Sequence, residues 1–230
     1  MNKNYVVVIA LLIGIIGGMF NYDLARPVFS NSKNAYYYGV KGKNQVSLTF
    51  NVDWGQEYIP NILDVLEQNR AVATFFITGN WAKKYPNLVR EIDNRGHEIG
   101  NHGYSHKHPQ HLSKQGLINL IKKNEKLIEK ITETKTYLFS PPYGEVDQRI
   151  SAIAHSIGYK TIMWSADTVD WQRPAAQIIV QRAVNKVGDG GIILMHPTRP
   201  TLKALPEILN NLRQQGYNFV TVSKLIQPGN

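Results

Sequence analysis

The chain has 230 residues, 43% of them apolar and 19% charged, the proportions of a globular fold and too apolar for a disordered one. Its 26 Lys and Arg outweigh 17 Asp and Glu, a formal charge of +9, which suits a polyanionic neighbourhood such as an anionic membrane face or an acidic wall polymer. The absence of cysteine excludes disulfides, thiolate nucleophiles and Cys-ligated metals, so any metal must be held by His, Asp or Glu.

Residues Tyr5 to Phe20 carry no charge (YVVVIALLIGIIGGMF) and follow Lys3 at the very start of the chain. Three glycines and crowded β-branched residues suit a signal segment better than a packed helix. Sixteen to eighteen such residues reach about 24–27 Å as a helix, marginal for a bilayer. No small-x-small cleavage site follows. Residues 1–22 are therefore read as an uncleaved signal-anchor that holds the protein to the cytoplasmic membrane through residues 5–20, with the domain outside. A cut segment would instead release a secreted protein. Residues 23–44, rich in Asn, Ser, Lys, Gly and Tyr, read as a spacer, and residues 45–226 as the domain.

From Gln45 onward short β-branched runs alternate with helical patterns. Strands are expected at Val46–Val52, Ala73–Thr78, His97–His102, Tyr137–Pro142, Tyr159–Ser165, Gly191–His196 and Phe219–Val222. Helices are expected near 58–69, 86–95, 113–131, 147–157, 174–187 and 201–215. Such βα repetition implies a parallel sheet with right-handed crossovers, closed into a barrel or left open. G-x-G-x-x-G after the first strand and the G-x-x-x-x-G-K-[ST] loop are both absent, which removes the main support for a nucleotide fold. The scattered basic residues and the lack of a recognition module argue against nucleic acid.

Active groups in parallel α/β proteins come from the carboxyl ends of strands, and here five such ends carry polar residues. They are Asn51, Asp53 and Trp54; His102, Ser105 and His106; Ser140 to Gly144; Asp167, Asp170 and Trp171; and His196. Five of the seven histidines fall within residues 97–111. His108 and His111 read as a solvated loop. His102 and His106, four apart across a strand end, can converge on one ion. Asp53 completes a His₂-carboxylate set with positions left for water and substrate, as catalytic zinc requires. The intervening Gly103, Tyr104 and Ser105 exclude the H-E-x-x-H helix of metalloproteases.

TFNVDWG (49–55), NHGYSH (101–106), SPPYGE (140–145), SADTVDW (165–171) and ILMH (193–196) resemble, in order and spacing, the five motifs of polysaccharide deacetylases (carbohydrate esterase family 4, the NodB homology domain). ATFFITGNW (73–81) and GYNFVTVSKLI (216–226) add to the likeness, which covers about residues 44–226. The resemblance implies an α/β fold, a distorted (β/α)7 barrel. It also implies metal-dependent removal of acetyl groups from amino-sugar polymers such as peptidoglycan or chitin-like glycans. Carried over motif by motif, it makes Asp53, His102 and His106 ligands of a divalent ion, Zn²⁺ foremost and Co²⁺ as an alternative. It makes Pro142 and Tyr143 the turn whose aromatic backbone N–H binds the oxyanion. Asp170 tunes the catalytic His196, and Trp171 and Leu194 line the substrate pocket. Asp167 caps or braces the same turn as Asp170.

Two positions depart from the pattern. Asn51 stands where the family has its base Asp, and Ser140 where it has the Arg that braces that base. An amide cannot act as a carboxylate base at neutral pH, and losing the charge removes the need for an Arg partner. An alternative alignment places Val52 at the ligand position and frees Asp53. Glu57, Glu98 and Glu145 are candidate replacement bases. The expected function is a membrane-tethered, monomeric, metal-dependent deacetylase of cell-wall glycan with weakened activity. The alternative is a non-catalytic relative that binds glycan or metal in the envelope.

Overall fold

The computed structural model describes residues 34–227; the apolar segment 5–20 and most of the spacer lie outside them. Among the described residues no helix is long and apolar enough to cross a membrane.

Nine strands form one curled sheet: β1 (Ala35–Tyr36), β2 (Gln45–Val52), β3 (Ala73–Ile77), β4 (Glu98–Asn101), β5 (Leu138–Phe139), β6 (Lys160–Ile162), β7 (Ala166–Asp167), β8 (Ile192–Met195) and β9 (Asn218–Phe219). Their order is β1-β6-β5-β4-β3-β2-β8-β7, with β9 beside β2, and the strand pairs are parallel. The helices are α1 (Ile59–Gln68), α2 (Gly79–Lys84), α3 (Pro86–Asn94), α4 (Lys114–Thr132), α5 (Gln148–Ser156), α6 (Ala176–Lys186), α7 (Arg199–Gln214) and α8 (Val222–Leu225). The architecture is a parallel half-barrel rather than a closed seven-stranded ring. Its free ends are β1 and β7, and an antiparallel bridge from Tyr38 to Gly191 ties the β1 segment to the start of β8.

Alternation along β2 sets the layers. Val46, Leu48, Phe50 and Val52 pack under helices with Ile62, Leu66, Ile208 and Leu212, while Ser47, Thr49 and Asn51 face the other way, as a period of two demands. The inner layer is filled by Phe76, Ile162, Trp164, Ile192 and Leu194, with Leu225 of α8. Each fully buried side chain of this size stabilises the fold by roughly 1.5–3 kcal/mol. Phe50 and Phe75 stack with centroids 4.9 Å apart. Gly100 lets β4 lie against this layer, because a Cβ there would run into the Phe76 ring.

Several expected boundaries move, each for a local reason. The strand expected at Tyr137–Pro142 shrinks to Leu138–Phe139, because Pro141 and Pro142 have no N–H to donate. The strand expected at Tyr159–Ser165 splits. Met163 donates to the Tyr36 carbonyl on one side and Ser165 to Ile192 on the other, so β7 forms separately beside β8. Thr78 ends β3 by capping α2, its hydroxyl accepting from the Trp81 N–H, a helix absent from the expected set. The strand expected at Phe219–Val222 becomes Asn218–Phe219, because Thr221 caps α8. The end of the expected spacer is part of the sheet. Ala35 and Tyr36 pair with Thr161 and Ile162, and the Gly39 N–H donates to the Gly190 carbonyl at 2.7 Å.

Candidate active site at the carboxyl end of the sheet

Asn51 and Asp53 share one side of β2 and its continuation. Asn51 is buried, and its side-chain carbonyl oxygen has no hydrogen-bond partner among the described residues. Asp53 Oδ1 accepts from the Thr78 hydroxyl at 2.7 Å, a contact the motif reading missed. Gly55 makes the turn that follows: its φ is +81°, and a Cβ would strike the Pro197 carbonyl. The turn leaves Trp54 parallel to the His196 ring, centroids 6.0 Å apart and planes 5° apart.

His102 is buried at the end of β4. Its Nδ1 lies 2.7 Å from the Ser140 carbonyl, to which it donates, leaving the Nε2 lone pair free. Burial, reinforced by His106, drives its pKa down to about 3, so the ring stays neutral at physiological pH. The His106 ring stands 5.1 Å away at 61°. Its pKa is lowered by burial against the opposing pull of the Asp53 carboxylate. A buried network locks this strand end. Asn124 of α4 donates to the Ile77 carbonyl at 2.8 Å and to Asn101 Oδ1 at 2.9 Å, and Asn101 donates to Ile121 and accepts from the Gly103 N–H.

In the turn after β5, Pro142 is buried and Tyr143 adopts a left-handed backbone, φ 59° and ψ 6°. Contacts on several sides hold its ring. His106 meets it edge-on at 4.3 Å, His108 stacks flat on it at 3.8 Å, and its hydroxyl donates to the His106 carbonyl at 3.2 Å. His108 Nδ1 in turn pairs with Glu145 at 2.6 Å. His108 is therefore more than a solvated loop residue. The Ser140 side of this turn supplies a carbonyl to His102 and no cation.

Asp170, fully buried, is clamped to His196 twice: the backbone N–H of His196 reaches Oδ2 at 2.6 Å and its Nδ1 reaches Oδ1 at 2.8 Å. Thr201, at the start of α7, donates to the same carboxylate at 2.5 Å; nothing in the motifs marks it. His196 thus keeps Nε2 for the mouth of the site. Asp167 accepts from the Val169 N–H at 2.8 Å and braces the left-handed turn there; burial raises its pKa. Trp171 is exposed beside Asp170, and Leu194 is buried in the inner layer. Trp54, next to Asp53, stacks on His196, and His106 meets the rings of both His102 and Tyr143, so strand ends from β2, β4, β5 and β8 converge in two contacting groups.

Among the described residues no group of three or more His, Asp or Glu side chains stands close enough together to hold a metal ion. The donor chemistry of His102, His106 and Asp53 nevertheless fits a divalent ion. The His102 ring is neutral, burial lowers the His106 pKa with the Asp53 carboxylate opposing it, and a backbone carbonyl holds the far nitrogen of His102, as metal-ligating histidines require. Of the candidate replacement bases, Glu98 sits at the opposite end of β4, accepting from Thr74 and the Ser223 N–H. Glu145 is engaged by His108, and Glu57 is exposed beyond the Trp54 turn.

The polysaccharide deacetylase family profile matches residues 38–162. A peptidoglycan-N-acetylglucosamine deacetylase of Bacillus cereus is 37% identical over 188 residues, 79% of this chain and 88% of that protein. An uncharacterized Bacillus subtilis protein, YlxY, is 36% identical over 83% of this chain, which spans 60% of that relative's length. A solved CE4 family pseudoenzyme from Bacillus anthracis superposes with a TM-score of 0.81 at 37% identity, over 84% of this chain and 69% of that one. With the profile spanning more than half of the chain and these identities carried along most of it, the chain belongs to the polysaccharide deacetylase family.

Proposed function

We propose that the chain acts on N-acetylated amino sugars of cell-wall glycan, as a metal-dependent deacetylase whose turnover is held down by Asn51. In this reading His102, His106 and Asp53 hold a divalent ion, Zn²⁺ in the first instance, and residues 5–20 fix the domain outside the cytoplasmic membrane. When bound, such an ion polarises the acetyl carbonyl as a Lewis acid. The observation that carries the reading is the double clamp of Asp170 on His196, whose ring stacks on Trp54 next to Asp53.

The chain's own groups divide the work. An amide nitrogen leaves only after protonation, and His196, with Nδ1 committed to Asp170, offers Nε2 to deliver that proton. The backbone N–H of Tyr143, turned by the left-handed conformation, is the donor for the developing oxyanion. Exposed Trp54, Tyr143 and Trp171 present apolar faces to sugar rings. What is lacking is a carboxylate base: its loss costs on the order of 10²–10⁴ in rate, about 3–5 kcal/mol of barrier.

A second reading, glycan binding without turnover, is favoured by the unpartnered Asn51 carbonyl and by the likeness to a pseudoenzyme. Acetate release from N-acetylated peptidoglycan fragments and chitooligosaccharides, with and without Zn²⁺ or Co²⁺, separates the two. Slow metal-dependent release supports the first; none, with glycan still bound, supports the second.

A further inference from the structure

Among the described residues the exposed aromatic side chains fall into two sets. Trp54, Tyr143 and Trp171 surround the candidate site at the carboxyl ends of the strands. Tyr36, Tyr38 and Tyr137, between 37% and 57% exposed, belong to the other end of the sheet. Tyr137 immediately precedes β5, Tyr38 bridges Gly191 immediately before β8, and Tyr36 lies under Lys160, which opens β6. Each of these tyrosines carries an exposed lysine near its ring face. Lys41 is 5.5 Å from the Tyr38 centroid, Lys135 is 5.8 Å from Tyr137, and Lys160 is 6.0 Å from Tyr36. Lys135 also pairs with Glu125 at 3.5 Å, while Asp189 accepts from the Gly42 and Gln45 amides and Glu98 from Thr74 and Ser223.

The direction of β1 supplies the second argument. β1 runs parallel to β6, so the chain enters the domain from the end where the strands begin. Asn34, where the described chain begins, therefore lies at the end that carries the three Tyr–Lys pairs and opposite the candidate site. Tyrosine rings settle at a headgroup interface, with an apolar body and a polar tip, and juxtamembrane lysines are drawn to anionic lipid.

We infer that this end of the domain rests on an anionic bilayer surface. Tyr36, Tyr38 and Tyr137 lie at headgroup level, Lys41, Lys135 and Lys160 lie against the lipid phosphates, and the candidate site faces away from the membrane. The orientation rests on the anchor reading of residues 5–20; the surface contact is separable from it. An acidic wall polymer would satisfy the lysines equally but gives no reason for tyrosines at the end where the chain enters.

The test uses the full chain with vesicles of phosphatidylcholine alone and of phosphatidylcholine containing phosphatidylglycerol. Co-sedimentation with the neutral vesicles reads the anchor alone. Amide hydrogen exchange of segments 34–43, 134–138 and 158–161 reads the surface. Exchange there should slow at least about threefold on anionic relative to neutral vesicles and recover at about 0.5 M salt, where exposed charges are screened. The triple variant Lys41→Glu/Lys135→Glu/Lys160→Glu should lose that difference while still co-sedimenting. Salt-sensitive slowing on anionic vesicles without binding to neutral ones would keep the surface contact and overturn the anchor. Equal exchange on both vesicle types would overturn the surface contact, as would equal slowing by soluble polyphosphate in place of anionic lipid.

Discussion

His108 lies flat on Tyr143, ring centroids 3.8 Å apart and planes 6° from parallel, and Glu145 holds the far side of that imidazole at 2.6 Å. The stack fixes a tyrosine whose left-handed backbone, φ 59°, costs about 1–2 kcal/mol for a side chain with a Cβ, against about 0.5–1.5 kcal/mol from an aromatic pair. His108→Ala should therefore loosen the turn that aims the Tyr143 N–H. Chitooligosaccharide affinity measured by calorimetry is expected to fall about threefold to tenfold, the equivalent of that stacking contribution. His108→Phe, which keeps the stack, should restore most of it; a full loss in both variants would assign the role to the Glu145 contact instead.

The altered base position gives the sharpest functional outcome. Asn51→Asp should raise acetate release by part of the factor of about 10²–10⁴ that a positioned base contributes. Adding Ser140→Arg should raise it further by a charge-assisted contact that orients the new carboxylate, and the double variant should exceed the product of the single effects. A slower Asn51→Asp single variant would show that another group serves as the base.

For the metal, replacing both His102 and His106 with Ala should abolish stoichiometric Zn²⁺ binding in calorimetry. Thr78→Val removes the hydroxyl on Asp53 and should weaken binding about tenfold, as losses of groups that orient ligands do. Unchanged affinity in both variants would place the ion elsewhere.

The buried amides behind the site carry stability. Asn124→Ala strips partners from the Ile77 carbonyl and from Asn101 Oδ1, and should cost about 2–4 kcal/mol in denaturant unfolding.

His97 gives a pH signature away from the site. It is buried, Nδ1 accepts weakly from the Ala73 N–H at 3.3 Å, and Nε2 has no partner among the described residues. Burial, helped by the Arg95 charge, lowers its pKa from 6.5 to about 4. The unfolded chain binds the proton more readily, so this contribution is fully present above pH 6.5 and is lost as pH falls toward 4. Each pH unit within that window removes at most about 1.4 kcal/mol. His97→Gln should flatten the unfolding free energy across pH 6.5 to 4, whereas a curve as steep as wild type would exclude His97 as its source.

Much of the fold and of the candidate site was legible in the order of residues. Alternating β-branched and helical runs dictate a parallel α/β sheet, whatever the tertiary detail, because periods of two and 3.6 bury one face each. Asn51, His102, Tyr143, Asp170 and His196 stood out because they lie at or just beyond expected strand ends, where a parallel sheet presents its polar groups, and within the five deacetylase-like motifs. Only the folded chain decided what holds them. Thr201 reaches Asp170 across 31 residues and Thr78 reaches Asp53 across 25, and no periodicity records such distances. The sheet, not the local pattern, also claimed Ala35–Tyr36 from the expected spacer. Two residues carry too little hydrophobic periodicity to announce a strand, and β1 exists because β6 offers an open edge for pairing. Likewise, His108 has the composition of a solvated loop and gains its partners only when Tyr143 and Glu145, 35 and 37 residues further along, fold back against it.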